Sequence, residues 1–350
     1  MVSTEIIRTE RALTATTGLE YRDLFNRKNR GLYNELKRNV VNEYGKVITT
    51  FIGEQCTETK DQSRELYGRA ILQYFIWIQA TGRAMSTLTG HDIVQYSREL
   101  RERGLKSLTI GYYLTSVKMF YAWAESIKLY PNIAKVAKAP KRVQEHRRKH
   151  LAEDKSQELL SYFKAQSPRD YAIVALKLLR GLRNIEVTRA NIEDITLETY
   201  TDSENRTQTR RVLKLQRKGH TEKDGIIVLG ELYEPIKKYL ETRKGAKGRE
   251  PLFKCSSNHS TDEGRLTTHS VSRICKTGLR AIGLDSKDFT AHSLRHTTAC
   301  MVLKKGGSLT DAQAILGHSN PATTQIYTKD IEREQRLEKA PELILDGIFL

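Results

Sequence analysis

The densest cluster of side chains able to act on an anion lies in the last sixty residues, in AHSLRH at 291–296, LGHS at 316–319 and TTQIYTK at 323–329. On a helix, His292, Arg295 and His296 stand at i, i+3 and i+4, share one face and could address one anion together. A guanidinium stays charged at any relevant pH and grips phosphate oxygens bidentately, while an imidazole trades protons near neutrality. A zinc hydrolase built on His292 and His296 fails at this level. Position 293 is Ser293 where a His-Glu-x-x-His site needs Glu, and no third ligand is obvious. No metal and no cofactor is expected.

Elements must bring these residues together. From Lys60 to Thr81 the apolar residues Leu66, Ala70, Ile71, Tyr74, Phe75 and Ile78 recur at helical spacing, and Gly82 ends the run. A second helix is expected through Ile93, Val94 and Leu100 before Gly104. A third, through Ile110, Leu114, Val117, Phe120, Tyr121 and Trp123, follows the cap candidate Ser107. Ser167-Pro168 reads as N-cap and first helical residue of the run that ends at Gly181. Ile192–Tyr200, RVLKL and IIVL at 226–229, separated by polar turns, then read as a small antiparallel sheet. Helical patterns resume at ELYEPIKKYLETR and run to the end, with a Thr310 to Gln313 capping box. The expected fold is therefore mainly α with a small antiparallel β-sheet, a helical domain followed by a mixed α+β one.

With 350 residues, two domains are the natural expectation. The boundaries are set at a basic N-terminal extension 1–45, a helical domain 46–139, a linker 140–150, a second domain 151–340 and a tail 341–350. Hydrophobic residues make up 38% of the chain, which favours folded protein over disorder. The start, MVSTEIIRTE, lacks the apolar core of a signal peptide, and no stretch reads as a membrane helix. A cytoplasmic, nucleoid-associated protein is expected. Cys56, Cys255, Cys275 and Cys300 are too dispersed for a zinc knuckle and read as reduced and structural.

Charge narrows the partner. The formal net charge of +17 and pI near 9.6 call for a polyanion, and nucleic acid is the commonest. Between Lys135 and His150 the chain carries seven Lys or Arg against Glu145 alone. Lys135, Lys138, Lys141, Arg142, Arg147 and Arg148 are expected to lie along phosphates as two domains close round a duplex.

The order of motifs resembles the tyrosine recombinases, or phage-type integrases. His-x-x-Arg-His, then Leu-Gly-His, then Tyr nine residues after that His are met by His292, Arg295, His318 and Tyr327. The family's Gly-Leu-Arg turn is matched by Arg183, with Glu186 three residues on, and its strand-turn Lys by Lys218. The likeness covers roughly residues 60–345, the helical half resembling the core-binding domain. Arg217 replaces the first Gly of the usual Gly-Lys-Gly, Arg180 precedes the Gly-Leu-Arg turn, and residues 1–45 match nothing in the family.

The resemblance implies covalent strand exchange without metal or ATP. Arg183 and Arg295 supply the fixed cations that an in-line displacement at a phosphodiester needs. Tyr327 is the nucleophile, a phenol with pKa near 10 that the site must help ionise. Lys218 is the general acid for the leaving 5′-oxygen. His292 and His318 handle the tyrosine proton or the phosphate, and Glu186 orients an active-site group. Double-stranded DNA with paired sites, a DNA-bound homotetramer and an accessory directionality factor are the implied partners. The apolar tail, Leu343 to Leu350, is expected to dock on a neighbouring protomer. A mobile-element integrase is the leading reading. A non-catalytic DNA-binding protein and a type IB topoisomerase stand as alternatives.

Overall fold

The computed structural model describes residues 19–56, 61–138, 140, 149–217, 220–255, 264–317, 331 and 336. The chain divides into two compact units, Met1–Glu145 and His146–Leu350.

The first unit is helical among its described residues: α1 (Arg30–Gln55), α2 (Asp61–Ala80), α3 (Gly90–Glu102) and α4 (Ser107–Ser126). Helix α2 brings Tyr74, Phe75 and Trp77 into a core completed by Phe51, Tyr96, Phe120 and Trp123. Most of their polar ends are paired: Tyr74 and Tyr121 hydroxyls lie 2.9 Å apart, Trp77 Nε1 donates to Glu99 at 2.9 Å, and Trp123 Nε1 donates to Glu54 at 2.7 Å, while the buried Tyr96 hydroxyl meets no hydrogen-bond partner among the described residues.

The expected break at residue 45 does not exist, because α1 runs straight across it. Leu36, Val40, Tyr44 and Phe51 form a buried stripe of the kind that makes a helix part of a core, and Tyr21 and Leu24 join it. Arg103 fastens this entry segment, with its guanidinium carbon 3.3 Å from the centre of the Phe25 ring and Nη1 donating to Tyr21 Oη at 3.0 Å. Ser107 is the first residue of α4, not its cap, which is Lys106.

The second unit opens with α5 (Glu153–Gln166) and α6 (Pro168–Arg180), continues through α7 (Asn184–Arg189) and a sheet of β1 (Ile195–Thr201), β2 (Thr207–Leu215) and β3 (Gly225–Val228), and adds α8 (Tyr233–Glu241), α9 (Thr268–Ala281), α10 (Ala291–Lys304) and α11 (Leu309–Leu316). Ser167 caps α6 as expected, its Oγ accepting from Asp170 N, with Pro168 at the first turn. The strands pair antiparallel in sequence order, Leu197 opposite Arg211 and Val212 opposite Val228. Helix α11 is capped by Ser308, whose hydroxyl and amide both reach Asp311. The box therefore sits two residues before the expected Thr310. No described helix is long and apolar enough to cross a membrane, and none of the four cysteines is in a disulfide, three of them being buried.

Candidate active site

Helix α6 ends where Gly181 adopts φ +65°, a left-handed conformation that Gly enters without the Cβ penalty. The turn leads through Leu182 to Arg183, the N-cap of α7. Glu186, in the first turn of that short helix and fully buried, accepts from Arg183 N at 2.8 Å and from Arg183 Nη1 at 2.9 Å. The carboxylate thus caps the helix and aims the guanidinium, whose side chain remains 22% exposed. Asn184 Nδ2 donates to Ser272 Oγ at 2.7 Å and so fixes α7 on α9.

Arg295 comes to the same turn from α10. It is 1% exposed, its Nη1 donates to the Gly181 carbonyl, and its Nη2 donates to the Leu316 carbonyl at 2.6 Å. One buried guanidinium therefore joins the Gly-Leu-Arg turn to the end of α11, immediately before His318. Thr298, one turn along α10, donates to the Leu178 carbonyl at 2.7 Å and locks α10 on α6. The approach is close: a Cβ on Gly181 would meet Leu316 Cδ2 at 2.5 Å.

Arg217 is the residue whose role the sequence did not disclose. Read there as a departure from Gly-Lys-Gly, it is 9% exposed and turned inward. Its Nη1 lies 3.6 Å from Glu186 Oε1 and donates to the Leu316 carbonyl at 3.4 Å. Gly317, at φ +58°, would carry a Cβ only 2.6 Å from Arg217 Cζ. A guanidinium fork spans this gap between a carboxylate and a carbonyl as a compact ammonium would not. A readable signal was present in the glycine that follows α11, which leaves room for a large neighbour.

Lys177, on α6, lies fully buried beside this cluster with Nζ donating to the Leu182 carbonyl at 2.9 Å. Burial pushes its ammonium below the usual lysine range, Cys275 opposes the fall, the Arg295 charge adds to it, and Glu186 also opposes it.

The structure thus brings Arg183, Glu186 and Arg295 together. His292 is exposed near the start of α10, its backbone amide donating to the cap hydroxyl of Thr290 at 3.3 Å. His296, grouped with His292 and Arg295 by its spacing, packs toward His150. It is buried, its ring centre 5.7 Å from that of His150. Lys218, His318 and Tyr327 lie outside the described residues, as do Lys141, Arg142, Arg147, Arg148 and the tail 341–350. Of the basic stretch, Lys135 is held by Glu125 at 3.0 Å, while Lys138 is exposed.

Residues 149–334 match the phage integrase family, and residues 57–128 match the phage integrase N-terminal SAM-like domain. The chain is 29% identical to the tyrosine recombinase XerA of Pyrococcus horikoshii over 265 residues, covering 74% of this chain and 84% of the relative. It is 28% identical to XerD of Listeria innocua over 266 residues, covering 73% and 84%. Among solved structures, XerH site-specific recombinase bound to palindromic difH substrate in a post-cleavage complex superposes with TM-score 0.65 at 18% identity, over 85% of this chain and 83% of that one. A lambda integrase dimer bound to a COC′ core site gives 0.55 at 18% identity, over 80% and 75%. The fold is shared with these structures.

Proposed function

The chain belongs to the phage integrase family, and from that premise we propose that it is a site-specific tyrosine recombinase that cuts and rejoins DNA through a 3′-phosphotyrosyl link on Tyr327. Tyr327 Oη attacks the scissile phosphorus as its proton passes to His292. The bond from phosphorus to the 5′-oxygen breaks, and Lys218 protonates the leaving oxygen. Arg183, Arg295 and His318 hold the non-bridging oxygens as their charge rises. The ester conserves the energy of the broken bond, so attack by a 5′-hydroxyl from a second duplex reseals the strand without ATP or metal.

The observation that carries this reading is the double use of Arg295, which ties the backbone of the Arg183 turn to the residue two before His318. Three motifs scattered through the sequence meet around one buried guanidinium. Arg183, with its side chain 22% exposed, and exposed His292 are the open groups of the site, while Arg295 is 1% exposed.

Residues 151–340 act as the catalytic domain, the helical unit that includes all of α1 as the core-binding domain, and the linker basic residues as phosphate contacts. Assembly is a tetramer on paired sites, with the tail 341–350 docked on a neighbour, and the biological setting is a mobile element whose integrase works with a directionality factor at the nucleoid. The test is a suicide substrate carrying a candidate site. A DNA–protein adduct that survives denaturation and disappears in Tyr327→Phe is expected; a wild-type chain that binds the site without forming it would leave a non-catalytic DNA-binding protein.

A further inference from the structure

We propose that the second unit carries a zinc-binding site formed by His150, His296 and Cys300. Each offers one ligand atom, and the three atoms lie within 4.8 Å of one another. His296 and Cys300 are four residues apart on α10 and so project from one face, a spacing that pairs ligands in structural zinc sites. Both are buried, at 3% and 0% exposure, whereas His150 is half-buried at the head of the unit.

Donor chemistry selects the metal. Two imidazoles and a thiolate are the borderline-soft set that suits Zn2+ and excludes Ca2+ or Mg2+, which ask for oxygen. Tetrahedral zinc, with bonds of about 2.0–2.3 Å, separates its ligand atoms by roughly 3.3–3.6 Å. Closure therefore needs an inward movement of about 1 Å, within reach of a half-buried ring at the head of the unit. Zinc binding releases one proton, from the Cys300 thiol to solvent, and water fills the fourth position on the open His150 side.

The ion would reinforce a seam that already exists. Leu151 N donates to Thr297 Oγ1 at 2.8 Å, and Lys305 pairs with Glu153 at 3.1 Å, both joining the start of the unit to α10. Lys304 Nζ, 3.4 Å from His150 Nε2, turns outward to solvent when the metal binds there. Closing a link between residues so far apart in sequence restrains the unfolded chain strongly, and it pins the end of the basic linker to the helix that carries His292 and Arg295.

The full chain, stripped with a chelator, is titrated with Co2+ and then with Zn2+. One equivalent of Co2+ is expected to give thiolate-to-metal charge-transfer absorption that Zn2+ displaces, and Zn2+ is expected to raise Tm. Cys300→Ser loses the absorption, His150→Ala weakens Zn2+ binding by at least about tenfold, and Cys255→Ser keeps both signals. Should Cys300→Ser fail to fold, His150→Ala, compared at its own metal-free Tm, decides alone. Absence of the absorption in the wild-type chain, or its persistence in Cys300→Ser together with wild-type affinity in His150→Ala, overturns the proposal.

Discussion

Replacing Glu186 with Gln exchanges one carboxylate oxygen for an amide nitrogen at nearly constant volume, yet it should damage both stability and catalysis. One carboxylate oxygen accepts from Arg183 N at 2.8 Å, and the other accepts from Arg183 Nη1 at 2.9 Å with Arg217 Nη1 at 3.6 Å. An amide has one acceptor and one donor. In either orientation its NH2 faces an N–H group, so one charge-assisted hydrogen bond is lost, at a cost of about 1.5–3 kcal/mol for a fully buried acceptor. For a unit of about two hundred residues that lowers Tm by roughly 3–12 °C. The rate effect follows from the freed Arg183 fork. Adduct formation on a suicide substrate, measured well below either Tm, should slow by about tenfold to 10²-fold, less than the 10²–10³ of deleting a stabilising donor outright. Equilibrium DNA binding should change little, since one phosphate contact among many is affected. A Glu186→Gln chain that melts with the wild type and forms adduct at the wild-type rate would refute the claim that this carboxylate aims Arg183.

Gly317→Ala forces a side chain into the left-handed region against Arg217 and should cost about 1–2 kcal/mol from the backbone alone, read as a lower Tm with slowed adduct formation. Lys177 gives a pH signature. Its folded pKa lies below the ordinary 10.5, so between the two values the unfolded chain holds a proton that the folded chain has shed, and Lys177's contribution becomes more favourable as pH rises. In urea unfolding of wild type and Lys177→Met at pH 7 and pH 10, the gap should shift toward the wild type at the higher pH; a constant gap would contradict the shift. Neutralising Lys141, Arg142, Arg147 and Arg148 together should reduce the slope of log affinity against log salt by about 3–4 if all four meet phosphates.

Much of the architecture was legible because local rules and tertiary packing agreed. The Ser167-Pro168 start and Gly181 stop of α6 follow from capping and backbone freedom alone, and the three strands from alternation between polar turns. Arg183 and Arg295 could be named from motif spacing, and the fold brings them to one turn. Direction was harder to read. His296 shares a helical face with Arg295 only to within the width of that face, and packing turned it toward His150 and Cys300. Arg217 was an anomaly in a turn motif until the end of α11 was seen above it. Helix α1 escaped notice because its buried positions, Leu36, Val40, Tyr44 and Phe51, are sparse among charged residues. The stripe gains its meaning only against the aromatic core that it covers.

That covering has a practical corollary for anyone grafting the first unit of this protein onto another second unit. A chimera whose junction falls at residue 46 would sever a continuous rod and strip the stacked Tyr44 ring from Phe75. The transplantable module begins no later than Leu19, so its recombinant boundary belongs upstream of Arg103's aromatic clamp.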